Sequence, residues 1–322
     1  MEKAIAQGKL LQPAGESAWD LYQQLLQSRA DGREKEQARV ALAAALENAG
    51  QRSIQSYMQL REPAPGEALV SLETVFTAEE FRRAGEMFGR ALELRPKDGK
   101  LRAKERFCEG RALVAEGRFS EASSPLKESV TLDPTGAYAY NALGLVYLNG
   151  RKWSEAAHYL RHAVEYAPKW IYPHHNLGLA YLELQRFEDA EREWVLTGLL
   201  VPQRAFLHIN LGVLYLKIGR RGDAERELRH ALKIDPENTA AHNNMGLVLQ
   251  LRNQLDEAEL HYRKAIAGDP KNVSSRINLA ALYRARGNTV QAEKELRTAL
   301  ETDPENPAAR QMLADLLKES KK

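Results

Sequence analysis

Histidine and asparagine are the residues whose spacing in this sequence suggests chemistry. All eight histidines lie between residues 158 and 261. His174, His208 and His242 recur at one constant interval, and His158 and His162 stand four apart, one helical turn. Imidazole is a common metal ligand, and an i,i+4 pair offers two nitrogens from one helix face. No carboxylate or third ligand accompanies that pair at matching spacing. Equivalent residues in stacked helices lie roughly 8–10 Å apart, whereas zinc needs every ligand nitrogen within about 2.1 Å of one point. Core-edge and solvated histidines are therefore expected, with no metal and no cofactor. Asn176, Asn210, Asn244 and Asn278 form a second series at the same interval. A carboxamide carries two donors and an acceptor, so a row of them can hold a passing peptide backbone without reading its side chains. That chemistry is recognition. The sequence contains no GxxxxGK[ST], GxGxxG, GxSxG or HExxH motif and no kinase motif. Acidic pairs such as Glu188–Asp189 fall where helices are expected to begin, and the helix dipole accounts for them there.

Composition excludes several classes. With 46 Lys+Arg against 44 Asp+Glu, the 322 residues carry a net charge of +2, so no broad positive field collects nucleic acid. No window approaches 18 consecutive apolar residues, and the opening MEKAIAQGKLLQPAGESAW lacks a signal-peptide core. The single cysteine, Cys108, excludes an internal disulfide and any CxxC motif.

The elements that position these side chains follow from an internal repeat. Pro134, Pro168, Pro202, Pro236, Pro270 and Pro304 follow one another at a constant 34-residue spacing. So do Gly110, Gly144, Gly178, Gly212 and Gly246, with Ala280 in the sixth place, and Ala122, Ala156, Ala190, Ala224, Ala258 and Ala292. Leu113, Tyr147, Tyr181, Tyr215, Leu249 and Tyr283 form a large-residue series. Each unit reads as two helices. In Ala137–Trp170 the first ends at Asn149–Gly150; the second begins with Ser154 as N-cap and stops before Pro168. Gly144 and Ala156 are expected where the two helices cross, with Leu143, Tyr147, Leu160 and Ala163 filling the seam.

A 34-residue unit of aromatic-x-x-Leu-Gly-x-x-Tyr, then Ala, a large residue, Ala and Pro resembles the tetratricopeptide repeat. Six units match: 103–136, 137–170, 171–204, 205–238, 239–272 and 273–306. Together, 103–306 form the array, and 307–322 a C-terminal capping helix. Residues 65–102 read as a degenerate unit. Its second helix is Phe81, Ala84, Phe88, Ala91 and Pro96, residues 66–76 are a short first helix, and four residues are inserted around Asp98–Arg102. Residues 1–64 read as a divergent helical N-terminal cap, or alternatively a separate small helical domain, bounded by Pro63–Gly66. The fold class implied is all-α: a right-handed superhelical solenoid of antiparallel helix pairs.

The resemblance also implies that the first helix of each pair lines a concave groove, with the second, fifth, sixth, ninth, twelfth and thirteenth positions exposed. These offsets share one helix face. Tyr138, Tyr172 and Phe206 stand at second positions; Asn141, His175 and Asn243 at fifth; Asn176, Asn210, Asn244 and Asn278 at sixth; Leu145, Leu179, Val213 and Leu247 at ninth. These are the expected peptide-binding residues. The aromatics supply apolar anchors, and the amides resemble the asparagine ladder in the repeat region of O-linked N-acetylglucosamine transferase. The charged clamp by which co-chaperone repeats grip a terminal carboxylate is not matched, since its places include Phe107, Arg111, Tyr138, Ala142, Tyr172 and Asn176. Arg111 is then a lone groove cation. The expected function is a non-enzymatic scaffold binding a peptide segment of a partner protein, with no nucleic acid, no membrane insertion, and homo-oligomers as a further option. The alternative is the repeat lobe of a larger glycosyltransferase or kinase, because GKLLQPAGESAWDLYQQLL resembles segments preceding repeats in some bacterial signalling proteins. A cytoplasmic location is favoured, or a periplasmic one if the chain is a fragment.

Overall fold

The computed structural model describes residues 1–59, 77–201 and 203–319. Every regular element among them is a helix. The expected boundary at Pro63–Gly66, the short helix over 66–76 and Pro202 lie outside the described residues. The N-terminal elements are α1 (Glu2–Ala6), α2 (Ala18–Gln27), the long α3 (Gly32–Met58) and α4 (Ala78–Leu94). Six repeats of two helices follow in chain order: α5 (Gly99–Ala115) and α6 (Phe119–Leu132), α7 (Ala137–Asn149) and α8 (Trp153–Tyr166), α9 (Ile171–Glu183) and α10 (Phe187–Leu200), α11 (Ala205–Lys217) and α12 (Arg221–Ile234), α13 (Thr239–Leu251) and α14 (Leu255–Gly268), and α15 (Val273–Ala285) and α16 (Thr289–Thr302). A single helix, α17 (Pro307–Glu319), follows. The fold is an all-α helical repeat solenoid.

From α7 onward every first helix begins on the first residue of a unit. The four residues inserted before the array lengthen α5 to 17 residues, against 13 in α7, so the insertion is one added helical turn with Asp98 as its N-cap. Ser154 is not a cap. Lys152 holds that position without a side-chain bond, and Ser154 lies inside α8. The turn between the helices of a pair explains why. Gly117, Arg151, Gln185, Gly219, Asn253 and Gly287 all have positive φ, between 54° and 78°, and they share one place in successive units. The chain makes the same left-handed step in every unit, and it leads straight into the second helix. Three of the six positions lack the glycine that such a step favours.

Packing within a pair rests on a close approach. A Cβ on Gly144 would lie 2.5 Å from Leu160 side-chain carbons. The same holds for Gly110 against Leu126 at 2.4 Å, Gly212 against Leu228 at 2.8 Å and Gly246 against Tyr262 at 2.6 Å. Even a methyl group is too large there. Ala122, Ala156, Ala190, Ala224, Ala258 and Ala292 are all fully buried, as are Leu143, Leu160 and Ala163. Tyr147 sits at the edge of the seam, stacked on Tyr159 with ring centres 5.2 Å apart.

The described residues up to Leu184 form one compact unit and those from Gln185 another. The division falls between the two helices of the 171–204 repeat, and not at an expected domain boundary. In the first unit α3 packs on α4 as a first helix packs on a second. Gly50 lies against Phe88, the Arg39 guanidinium donates to the Leu94 carbonyl, and Glu47 binds Arg95 at 2.5 Å and Lys104 at 3.0 Å. In the second unit α17 packs on α16, and Ala309 and Leu316 are buried.

Relieving the left-handed strain at one turn is expected to stabilise the array. Left-handed geometry costs a non-glycine residue about 1–2 kcal/mol, and glycine returns part of this through the unfolded chain. Arg151→Gly is therefore expected to raise stability by roughly 0.5–1 kcal/mol, read as a higher urea midpoint at unchanged slope.

Candidate functional site

In the first unit the first-helix face is covered by the chain itself. Tyr57, at the end of α3, packs across three repeats. Its ring centre lies 5.7 Å from that of Phe81, 5.6 Å from Phe107 and 5.4 Å from Trp170. The Arg111 guanidinium lies 4.8 Å from the centre of the Tyr57 ring and 5.2 Å from that of Phe81. Asn141 Nδ2 donates to the Tyr57 hydroxyl at 2.9 Å, and Asn176 Nδ2 donates to Asn141 Oδ1 at 3.2 Å. Tyr138 stacks edge-on against Phe107 at 4.7 Å and donates its hydroxyl to Asp133 Oδ2 at 2.9 Å. All of these residues except Asp133 are buried, as are Tyr172 and His175.

This corrects several expectations. Tyr138 and Tyr172 are not exposed anchors, and Asn141, Asn176 and His175 do not lie open on a groove. Arg111, 1% exposed, is not a groove cation, since aromatic rings hold it by cation–π contact. At Asn141 and Arg111 the physical reason is that Tyr57, a residue outside the 34-residue register, supplies the cover. Leu145 and Leu179 stay half-buried. Cys108 is buried beside this cluster, and burial pushes its thiol far above the ordinary range, so no reactive thiolate forms.

The second unit keeps a more open first-helix face. Phe206, Val213, Asn243, Asn244, Leu247 and Asn278 are each partly exposed, while Asn210 is buried. Asn278 Nδ2 donates to Asn243 Oδ1 at 2.9 Å, and Ser275 Oγ donates to the same oxygen at 3.1 Å. These two bonds fix how the Asn243 and Asn278 amides point.

The histidines occupy a different place. In the units beginning at 137, 205, 239 and 273 the fourth residue of the first helix faces a residue 19 positions later on the second helix. The pairs are Tyr140 with Tyr159, His208 with Glu227, His242 with His261 and Arg276 with Glu295. His174 and His242 are buried, and each Nε2 bonds a proline carbonyl, of Pro168 or Pro236, at 3.0 Å. They are core-edge histidines. In the 205–238 repeat, His208 Nδ1 lies 2.8 Å from Glu227 Oε2, and that bond holds the Glu227 carboxyl below the usual carboxylate range. His158 and His162 touch ring to ring at 5.0 Å, and His162 faces Glu165. In the 239–272 repeat two imidazoles meet, with Nδ1 atoms 2.9 Å apart. Burial, then the neighbouring His242, pushes His261 down to about 4, and burial also lowers His242.

Tetratricopeptide repeat models match residues 137–169, 171–194, 209–273 and 249–316, and a TPR repeat model matches 110–150. The chain belongs to the tetratricopeptide repeat family. Among solved structures, a tetratricopeptide repeat protein from Parabacteroides merdae is 11% identical, with a TM-score of 0.61 over 84% of this chain and 99% of that one. PilW, described as a widely conserved type IV pilus biogenesis factor, is 17% identical, with a TM-score of 0.58 over 66% and 98%. Pseudomonas aeruginosa pilF is 19% identical, with a TM-score of 0.56 over 68% and 100%. At these identities the likeness is one of fold. Curated proteins give no significant match. Tetratricopeptide repeats are generally non-catalytic modules that bind protein partners, and among the described residues no helix is long and apolar enough to cross a membrane.

Two measurements check the site's energetics. Tyr57→Phe removes the acceptor that Asn141 Nδ2 uses while keeping the ring, and leaving a buried donor short of its partner costs about 1–3 kcal/mol. A lower urea midpoint of that size is expected. The second concerns pH. An unfolded histidine titrates near 6.5, so the depressed His261 contributes stability that is complete above that value. It is eroded as pH falls from there toward about 4. Lys264 and Arg229 reinforce the depression of His261; at His242, Lys264 does so while Glu237 and Asp235 oppose it. The fall in melting temperature between pH 7 and pH 5 is therefore expected to shrink in His261→Gln relative to the natural chain.

Proposed function

We propose that this chain is a non-catalytic scaffold that takes an extended segment of a partner protein along the first-helix face of residues 205–285. The observation that carries this reading is the amide cluster of Asn243, Asn244 and Asn278. Asn244 is half-exposed and its carboxamide makes no hydrogen bond with the described residues, so the two donors and the acceptor suit one residue of a passing backbone. Asn278 and Asn243 are held in fixed orientation by their mutual bond, which lowers the ordering cost of binding. Val213 and Leu247, partly exposed on the same helix face, add apolar contact. The partner face is narrower than the spacing of the amides suggests, because Tyr57 fills its counterpart in the first unit.

A photo-crosslinking residue at Leu247 is expected to capture a partner from the native lysate, while the same residue at exposed Glu188 on a second helix does not. With that partner purified, Asn244→Ala with Asn278→Ala is expected to weaken binding tenfold or more, since each lost pairing costs about 1 kcal/mol or more. Equal capture at both positions, or full affinity in the double variant, would show that the partner binds elsewhere.

A further inference from the structure

The pairing of the fourth residue with the second helix has a third participant. One helical turn beyond each second-helix partner stand His162, His230, Lys264 and Thr298 in the repeats beginning at 137, 205, 239 and 273. Only the 205–238 repeat combines three ligand-type side chains. Nitrogens of His208 and His230 and a carboxylate oxygen of Glu227 all lie within 4.8 Å of one another. Among the described residues no other set of three reaches this spacing.

We propose that His208, Glu227 and His230 form a binding site for a zinc-like divalent cation. Two imidazoles and one carboxylate are a ligand set typical of zinc sites that keep a fourth position open. Such a set has its ligand atoms about 3.4 Å apart around a tetrahedral ion. The widest separation must therefore close by up to about 1.4 Å, and the exposed His230 can supply it by rotating without disturbing the core. Glu227 and His230 are i,i+3 on α12, so they project from one face, while His208 reaches them from α11. Arg226 Nε lies 3.7 Å from Glu227 Oε1, which leaves Oε2 turned toward His208. Arg226 is 57% exposed and can move off the carboxylate when a cation arrives. The next repeat shows what blocks a site. There His242 and His261 meet in the same way, but Lys264 replaces the third ligand and its ammonium repels a metal ion. The site lies on two rigid helices, and the ion would cross-link them.

The test is calorimetric titration of zinc chloride into the full chain after EDTA treatment and dialysis, with cobalt(II) absorption as a report on ligand geometry. One saturable site is expected. His230→Ala and Glu227→Gln should each weaken it tenfold or more, with unchanged helical circular dichroism, and His158→Ala with His162→Ala should leave it unaltered. Because His230 is exposed, its loss reports on binding and not on folding. Several weak sites, no saturation by about 0.1 mM, unchanged affinity in His230→Ala, or loss in the His158/His162 variant instead would each overturn the assignment.

Discussion

Everything in this structure depends on how closely two helices of a pair approach. At Gly144, Gly212 and their equivalents the first helix presents bare backbone to a large side chain of the second, and the room between them does not hold even a methyl group. That contact fixes the spacing and the rotation of the pair. It returns in the units beginning at 103, 137, 205 and 239, with Ala280 in the same place of the last unit, and the other positions return with it. The left-handed turn, the buried alanines and the pairing of the fourth residue with the second helix are all consequences of one local geometry copied along the chain.

The repeat was legible because its residues answer to constraints internal to a unit. Proline ends, small residues at the crossing and large residues in the seam all leave marks at fixed spacing. First-helix starts from α7 onward were legible to the residue, whereas the second-helix cap was not at the expected Ser154, and the four-residue insertion became a single turn of α5. The handedness of the turn was not legible at Arg151, Gln185 and Asn253, since the unit imposes the step whatever residue stands there. Burial of Tyr138, Asn141 and Asn176 was not legible either. Position within a repeat tells which way a side chain points and not what lies above it. Tyr57 is 84 residues from Asn141, belongs to no register, and reaches the amide only through the length of α3.

The histidines teach the same lesson in another direction. Compared along one series, His174, His208 and His242 are too far apart to share anything. The partners of His208 and His242 are instead 19 positions downstream, on the second helix, where the series reads Tyr159, Glu227, His261 and Glu295 in the units beginning at 137, 205, 239 and 273. A constant backbone thus carries a variable pair: aromatic in the unit beginning at 137, acid–base at 205, two imidazoles at 239 and an ion pair at 273. Neither member shows its chemistry without the other.

The strained turns also make the array mechanically uneven. A solenoid pulled from its ends bears the load in series through its loops, and it yields first where the native conformation already costs most. Glycine carries the left-handed step at 117, 219 and 287 with little strain and asparagine tolerates it at 253, whereas Arg151 and Gln185 carry it against their preference. The costliest turns therefore lie in the repeats beginning at 137 and 171, and one of them, Gln185, is where the second compact unit begins. A chain built of nearly equal pieces has in this way an order of rupture written into two residues.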